Sequence, residues 1–162
     1  MNSGDLVFCH TKGIIGKGIR WAQRNEGDGR YARWNHVAVL DRLDANGNWL
    51  VIQAEPTGVT DNKPLTTLGE YEIKPLPQNV NAKNFLSFVR SQVGHSYGFL
   101  SIFSCALDMF LPDSICLRQA NTWICSGLVA AGLMYAGCVD ATSWSDVYTR
   151  TPAYLAYLVS TN

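Results

Sequence analysis

Asn121-Thr122-Trp123-Ile124-Cys125-Ser126-Gly127-Leu128-Val129-Ala130-Ala131-Gly132-Leu133-Met134-Tyr135-Ala136-Gly137 reads as one helix. Asn121 or Thr122 supplies the cap, and Gly137 ends the run. Cys125 then falls in the first turn, where free N–H groups and the positive end of the helix dipole favour thiolate over thiol. Cysteines in such places drop from a pKa of about 8.5 to roughly 3.5–7.5 and become nucleophiles at neutral pH. Ser126, Gly127, Ala130, Ala131 and Gly132 are small, so the helix can seat closely on a sheet and offer its first turn to groups on a strand. The same pattern also fits a buried cysteine that merely fills a gap, the commoner fate of a free thiol. What stands opposite Cys125 decides between the two.

His36 is the first candidate partner. It opens an apolar run, His36-Val37-Ala38-Val39-Leu40, whose alternation as a strand places His36, Ala38 and Leu40 on one face. A second strand-like run, Asn48-Trp49-Leu50-Val51-Ile52-Gln53-Ala54-Glu55, follows Ala45-Asn46-Gly47, a strong hairpin signal. With Asn46-Gly47 as a two-residue centre, Asp41 faces Ile52 and Ala38 faces Glu55. His36 and Glu55 are then diagonal neighbours on one face, about 7–8 Å apart at the backbone. A carboxylate there would fix the imidazole tautomer and stabilise the imidazolium. A three-residue loop would turn Glu55 to the opposite face.

Around this centre the chain reads as α+β, with early strands followed by later helices. "GDLVFCH" (4–10) is a short strand, and residues 14–25 carry Ile15, Ile19 and Ala22 at helical spacing. "YEIKPL" (71–76) is a further strand whose Pro75 marks an edge or an end. Asn81 caps a helix through Phe85, Phe88 and Val89, stopped by Gly94. Residues 99–110 form an apolar run broken at Pro112. Thr151-Pro152 opens a last helix in cap-then-proline order.

The chain of 162 residues carries no repeat or linker and fits a single domain over 1–162. Thirteen basic residues balance thirteen acidic ones, so no global field recruits nucleic acid. The longest apolar stretch, 99–111, is interrupted by Ser101, Ser104 and Asp108, too short and too polar to span a bilayer. No basic region and long apolar core open the chain, so the expectation is synthesis in the cytoplasm without a secretory signal. Five cysteines, Cys9, Cys105, Cys116, Cys125 and Cys138, show no zinc-like spacing. Cys9 and His10 point to opposite faces of a strand and cannot pair. Cys105, Cys116 and Cys138 read as packing residues, and His95 as a turn residue.

Five segments together resemble the permuted NlpC/P60 papain-like proteins, in particular the YiiX-like branch. They are Gly4-Asp5-Leu6-Val7-Phe8, Asn35-His36-Val37-Ala38-Val39, Val51-Ile52-Gln53-Ala54-Glu55, Gly94-His95-Ser96-Tyr97-Gly98-Phe99-Leu100, and Trp123-Ile124-Cys125-Ser126-Gly127-Leu128-Val129-Ala130-Ala131. The closing Thr-Pro-Ala-Tyr-Leu segment resembles the terminal helix of that family. The chain departs from the pattern at Gly98 and Gly127, where many relatives carry acidic residues.

The resemblance implies a circularly permuted papain-like fold: an antiparallel sheet packed against helices, with the nucleophile at a helix N-terminus. It implies Cys125 as nucleophile and His36 as base, with Glu55 preferred over Gln53 as orienter because an anion better stabilises imidazolium. It places Tyr97 near the oxyanion or the substrate. The expected activity is a cysteine hydrolase that forms a thioester on amide bonds, peptidoglycan peptides among them, with no metal or organic cofactor. A lipid-directed acyltransferase or esterase, using 99–111 as a lid, is the first alternative. A non-catalytic binding module is the second. The substrate is a peptide, a cell-wall peptide or an acyl group, and such a chain would suit a phage or bacterial genome.

Overall fold

The computed structural model describes residues 1–24, 29–98, 122–138, 147 and 150–161. Strand β1 is Leu6–His10, helix α1 is Ile14–Ala22, and strands β2, β3 and β4 are His36–Leu43, Trp49–Glu55 and Gly58–Pro64. A turn of 3-10 helix at Leu65–Thr67 leads into β5, Glu70–Lys74. Helix α2 is Ala82–Ser91, short strands β6 and β7 are Ser96–Tyr97 and Thr122–Trp123, and helices α3 and α4 are Cys125–Tyr135 and Pro152–Thr161.

Five strands form one antiparallel sheet in the order β4-β3-β2-β1-β5. Its two faces follow the two-residue period of a strand. Leu6, Phe8, Val37, Val39, Ile52 and Ala54 meet Phe85 and Val89 of α2, Leu128, Val129 and Leu133 of α3, and Leu155 of α4. Val7, Cys9, Ala38, Leu40 and Val51 turn the other way and are covered by Leu65, with Trp49, Leu68 and Ile73 at the margin. Both faces of β1 and β2 are therefore buried, which is why these strands are apolar almost throughout. The architecture is α+β, as expected.

Local signals act where they were read. The Asn81 side chain accepts from the Asn84 N–H at 3.0 Å, and Thr151 Oγ1 accepts from the Tyr154 N–H at 3.1 Å, with Pro152 opening α4. Gly137, at φ 81°, ends α3 with paired bonds, Cys138 N–H to Leu133 O at 3.0 Å and Gly137 N–H to Met134 O at 3.2 Å. A residue with a side chain resists that left-handed conformation.

Two elements differ from the sequence reading. Helix α3 begins at Cys125, with extended Ile124 as its cap, so neither Asn121 nor Thr122 caps it. Thr122–Trp123 instead pairs in parallel with Ser96–Tyr97, and the Trp123 indole N–H donates to Gln92 Oε1 at 3.0 Å. The Gly58–Pro64 edge strand was not foreseen. Its polar residues Asp61, Asn62 and Lys63 carry no strand signal, as is common for edges. The apolar 99–111 run, with Cys105, and also Cys116 lie outside the described residues. No helix among the described residues is long and apolar enough to cross a membrane.

The β2–β3 hairpin settles the register differently from the two-residue reading. The Asp44 N–H bonds Asn48 O at 2.8 Å and the Gly47 N–H bonds Asp44 O at 3.1 Å, with Gly47 at φ 81°. This is a three-residue loop over 45–47, the case that would turn Glu55 away from His36. Next to the loop Leu43 pairs Trp49 and Arg42 pairs Leu50, but after an irregularity at Asp41 the pairs are Leu40 with Val51 and Val39 with Ile52. A β-bulge has inserted one unpaired residue and restored the parity. Continued to the strand ends, this register sets Ala38 against Gln53 and His36 against Glu55, not Ala38 against Glu55. Asp41 itself is fully buried; Arg90 Nε lies 2.7 Å from its Oδ1, and the Arg42 guanidinium bonds its Oδ2.

Candidate active site

Cys125 is the first residue of α3 and is 6% exposed. Burial pushes its thiol pKa up, yet the net direction is down. The facing His36 charge lowers it, helped by a hydrogen bond from His36 and by the backbone N–H groups of Val37 and Ser126. His36 shows the mirror image. Burial opposes its positive charge, but the Cys125 thiolate, its hydrogen bond, the bond to Gln53 and the charge of Glu55 together raise the imidazole above its ordinary value. Each member stabilises the charged form of the other, the condition for a thiolate–imidazolium pair.

The side chain hydrogen-bonded to His36 is not the one preferred on the sequence. His36 Nε2 and Gln53 Oε1 are 2.7 Å apart. Glu55 stands behind Gln53, its Oε2 3.5 Å from Gln53 Nε2. The carboxylate is tethered by Lys63 Nζ at 3.0 Å, Thr57 Oγ1 at 3.2 Å and Thr60 Oγ1 at 3.4 Å. The reason is competition rather than reach: the bulge-corrected register puts Glu55 straight across from His36 at the last residue of β3, but Thr57, Thr60 and Lys63 hold its carboxylate. Lys63 was not singled out on the sequence, because the strand that carries it was not seen.

Tyr97 is brought beside Cys125 by the parallel pairing of Tyr97 with Trp123, two residues before the nucleophile. Burial, then the charge on Cys125, push the phenol pKa up, so it stays protonated as a donor at neutral pH. Cys125, His36, Gln53, Glu55 and Tyr97 all line one cleft of about 1100 Å³. Helix α1 and its cap supply a wall through Gly13, Gly16 and Ile19, and Leu68 before β5 and Glu70 at its start stand among the lining residues. The segment leading into α1 is tied to the residue before the histidine. Asn35, 2% exposed and next to His36, accepts from the Thr11 N–H at 2.8 Å and donates to Thr11 O at 2.9 Å.

The competing groups sort themselves by environment. Cys9 is buried, with its thiol pushed up to about 12 by burial and by the Cys125 charge. Cys138 is a core residue. His10 lines the cleft, on β1 opposite Glu70, whereas His95 does not line it.

No protein-family model and no curated protein matches the chain. Among solved structures, the crystal structure of the metalloprotein YiiX from Escherichia coli O157:H7 matches with a TM-score of 0.57 over 84% of this chain and 66% of that one, at 17% identity. The fold is YiiX-like. The chain thus spans just under two thirds of that protein's length. Among the described residues no three His, Cys, Asp or Glu side chains converge in a way that would hold a metal ion, so a metal such as that protein's name implies has no donor set among them.

Proposed function

We propose that the chain is a cysteine hydrolase of the permuted NlpC/P60 papain-like kind, cleaving amide bonds through a thioester, with cell-wall peptides as its substrate class. The observation that carries this is the meeting of Cys125 and His36 in a cleft, with Cys125 shifted toward thiolate and His36 toward imidazolium. A gap-filling cysteine would show the opposite shift, as Cys9 does.

The geometry supports the following course. The Cys125 thiolate attacks the carbonyl carbon. The Cys125 N–H, a first-turn donor of α3, and the Tyr97 hydroxyl face the developing oxyanion. The His36 imidazolium gives its proton to the leaving amine, and the thioester remains. His36, now neutral, takes a proton from water as the water oxygen attacks the thioester; the C–S bond breaks, the acyl group leaves as a carboxylic acid, and the Cys125 thiolate and His36 imidazolium are restored. Gln53 holds the ring for both transfers through the 2.7 Å bond at Nε2.

Incubation of the protein with muropeptides and with phospholipid vesicles in parallel tests the reading. Release of new amino termini by wild type but not by Cys125→Ala is expected. Deacylation of phospholipid alone would replace the peptide substrate by an acyl one. A Cys125 that alkylates no faster at neutral pH than a free thiol would end the catalytic reading.

A further inference from the structure

The Gln53 side chain raises a problem that a carboxylate in its place would not. An amide has one accepting end and one donating end, and a rotation of 180° about its last bond exchanges them. Only the rotamer with Oε1 toward His36 accepts from an Nε2–H; the other opposes two donors. Gln53 is 3% exposed, so water cannot repair the wrong choice.

Resting on the cysteine–histidine reading above, we propose that Glu55 is a positioning residue that locks the Gln53 amide in its accepting rotamer and so dictates which ring nitrogen of His36 carries a proton. An ionised carboxylate only accepts. With Oε2 3.5 Å from Gln53 Nε2, it favours the donating end of the amide on its own side and turns Oε1 to His36. The imidazole must then keep a proton on Nε2, which leaves its other nitrogen for the hydrogen bond with Cys125. The lock needs its own anchor. Lys63, Thr57 and Thr60 hold the carboxylate at the β3–β4 edge, and Lys63 also balances its charge. A chain of four groups, Lys63, Glu55, Gln53 and His36, thereby runs from the rim of the cleft to the nucleophile, with each donor facing an acceptor.

The experiment is a four-protein set: wild type, Glu55→Gln, Gln53→Glu, and the exchange variant Gln53→Glu/Glu55→Gln. The readout is the pH dependence of Cys125 alkylation by iodoacetamide, followed by peptide mass spectrometry, which needs no substrate. In Glu55→Gln the neighbouring amide no longer dictates the rotamer, and the acid limb of the alkylation profile moves up by about one pH unit, a tenfold loss of ion pair at pH values below it. In the exchange variant a carboxylate faces His36 directly, has no orientation to choose, and returns the limb to within about 0.3 unit of wild type. Thermal melts of all four report the fold separately, and a merely structural Glu55 would move the melts without this rescue. A Glu55→Gln profile that overlays wild type overturns the proposal, as does an exchange variant whose shift is the sum of the two single shifts. A wild-type profile with no lowered limb refutes the underlying pair, and the lock falls with it. Those results are distinguishable because the wild-type curve alone reports the pair.

Discussion

Two glycines two residues apart on α1 give a prediction in which one chemical change has opposite signs. Gly16 and Gly18 both lie within the helix Ile14–Ala22. A Cβ on Gly18 would meet nothing within 4 Å, whereas one on Gly16 would overlap Asn35 Nδ2 and lie 2.8 Å from Thr11 O. Alanine in a helix is favoured over glycine by about 0.8–1.0 kcal/mol, and both variants receive that gain. At Gly16 the close approach imposes an overpacking cost of about 1–3 kcal/mol. If Asn35 yields instead of the helix, its bonds to Thr11 are lost at about 0.5–1.5 kcal/mol each. Set against the helix gain, the cost leaves a net loss of up to ~2 kcal/mol for Gly16→Ala, and Gly18→Ala keeps a gain approaching ~1 kcal/mol. With about 2.1 cal/mol/K of unfolding entropy per residue, a domain of this size shifts by roughly 3 °C per kcal/mol. Differential scanning calorimetry should therefore show Gly16→Ala melting up to ~6 °C below wild type and Gly18→Ala ~2–3 °C above it. A Gly16→Ala protein that melts as far above wild type as Gly18→Ala does would refute the close seating of α1 on the loop before His36.

Three further outcomes bear on the site. Replacing His36 by Ala leaves burial unopposed by a facing charge, so Cys125 alkylation at pH 6.5 should slow by at least ~30-fold; a change under threefold would remove His36 from the pair. Turnover should rise as pH climbs through the Cys125 pKa, which lies below its ordinary 9.0, and fall as pH climbs through the His36 pKa, which lies above its ordinary 6.5. A kcat/KM profile with its acid limb at 9 or above would contradict that order. Cys9→Ala should keep kcat/KM within about twofold, because a thiol pushed up to about 12 carries no charge near neutrality, and a large loss would show that Cys9 takes part in the chemistry.

Legibility from the sequence followed the range of each interaction. The caps at Asn81 and Thr151 and the stop at Gly137 act within a turn of chain, so residue types at fixed offsets announced them. Apolar runs announced β1, β2 and β3, because most of their residues are buried in the core on one face or the other. Thr122–Trp123 was misread as the start of a helix because its strand character comes from Ser96–Tyr97, 26 positions earlier. Gly58–Pro64 was invisible because an edge strand solvated by Asp61, Asn62 and Lys63 needs no apolar alternation.

The candidate site divides along the same line. Residue type and local position were enough to single out Cys125 at a helix start and His36 at the head of a buried strand; Tyr97 came only from the family resemblance, and Gln53 and Glu55 stood two apart on one strand face. Which of the last two meets His36 depended on a loop of three residues, a bulge at a buried aspartate held by Arg90 from α2, and a lysine on an unforeseen strand. Those are cross-strand and interelement forces. A one-residue slip reverses every face of a strand, and only the packed structure fixes whether the slip has occurred.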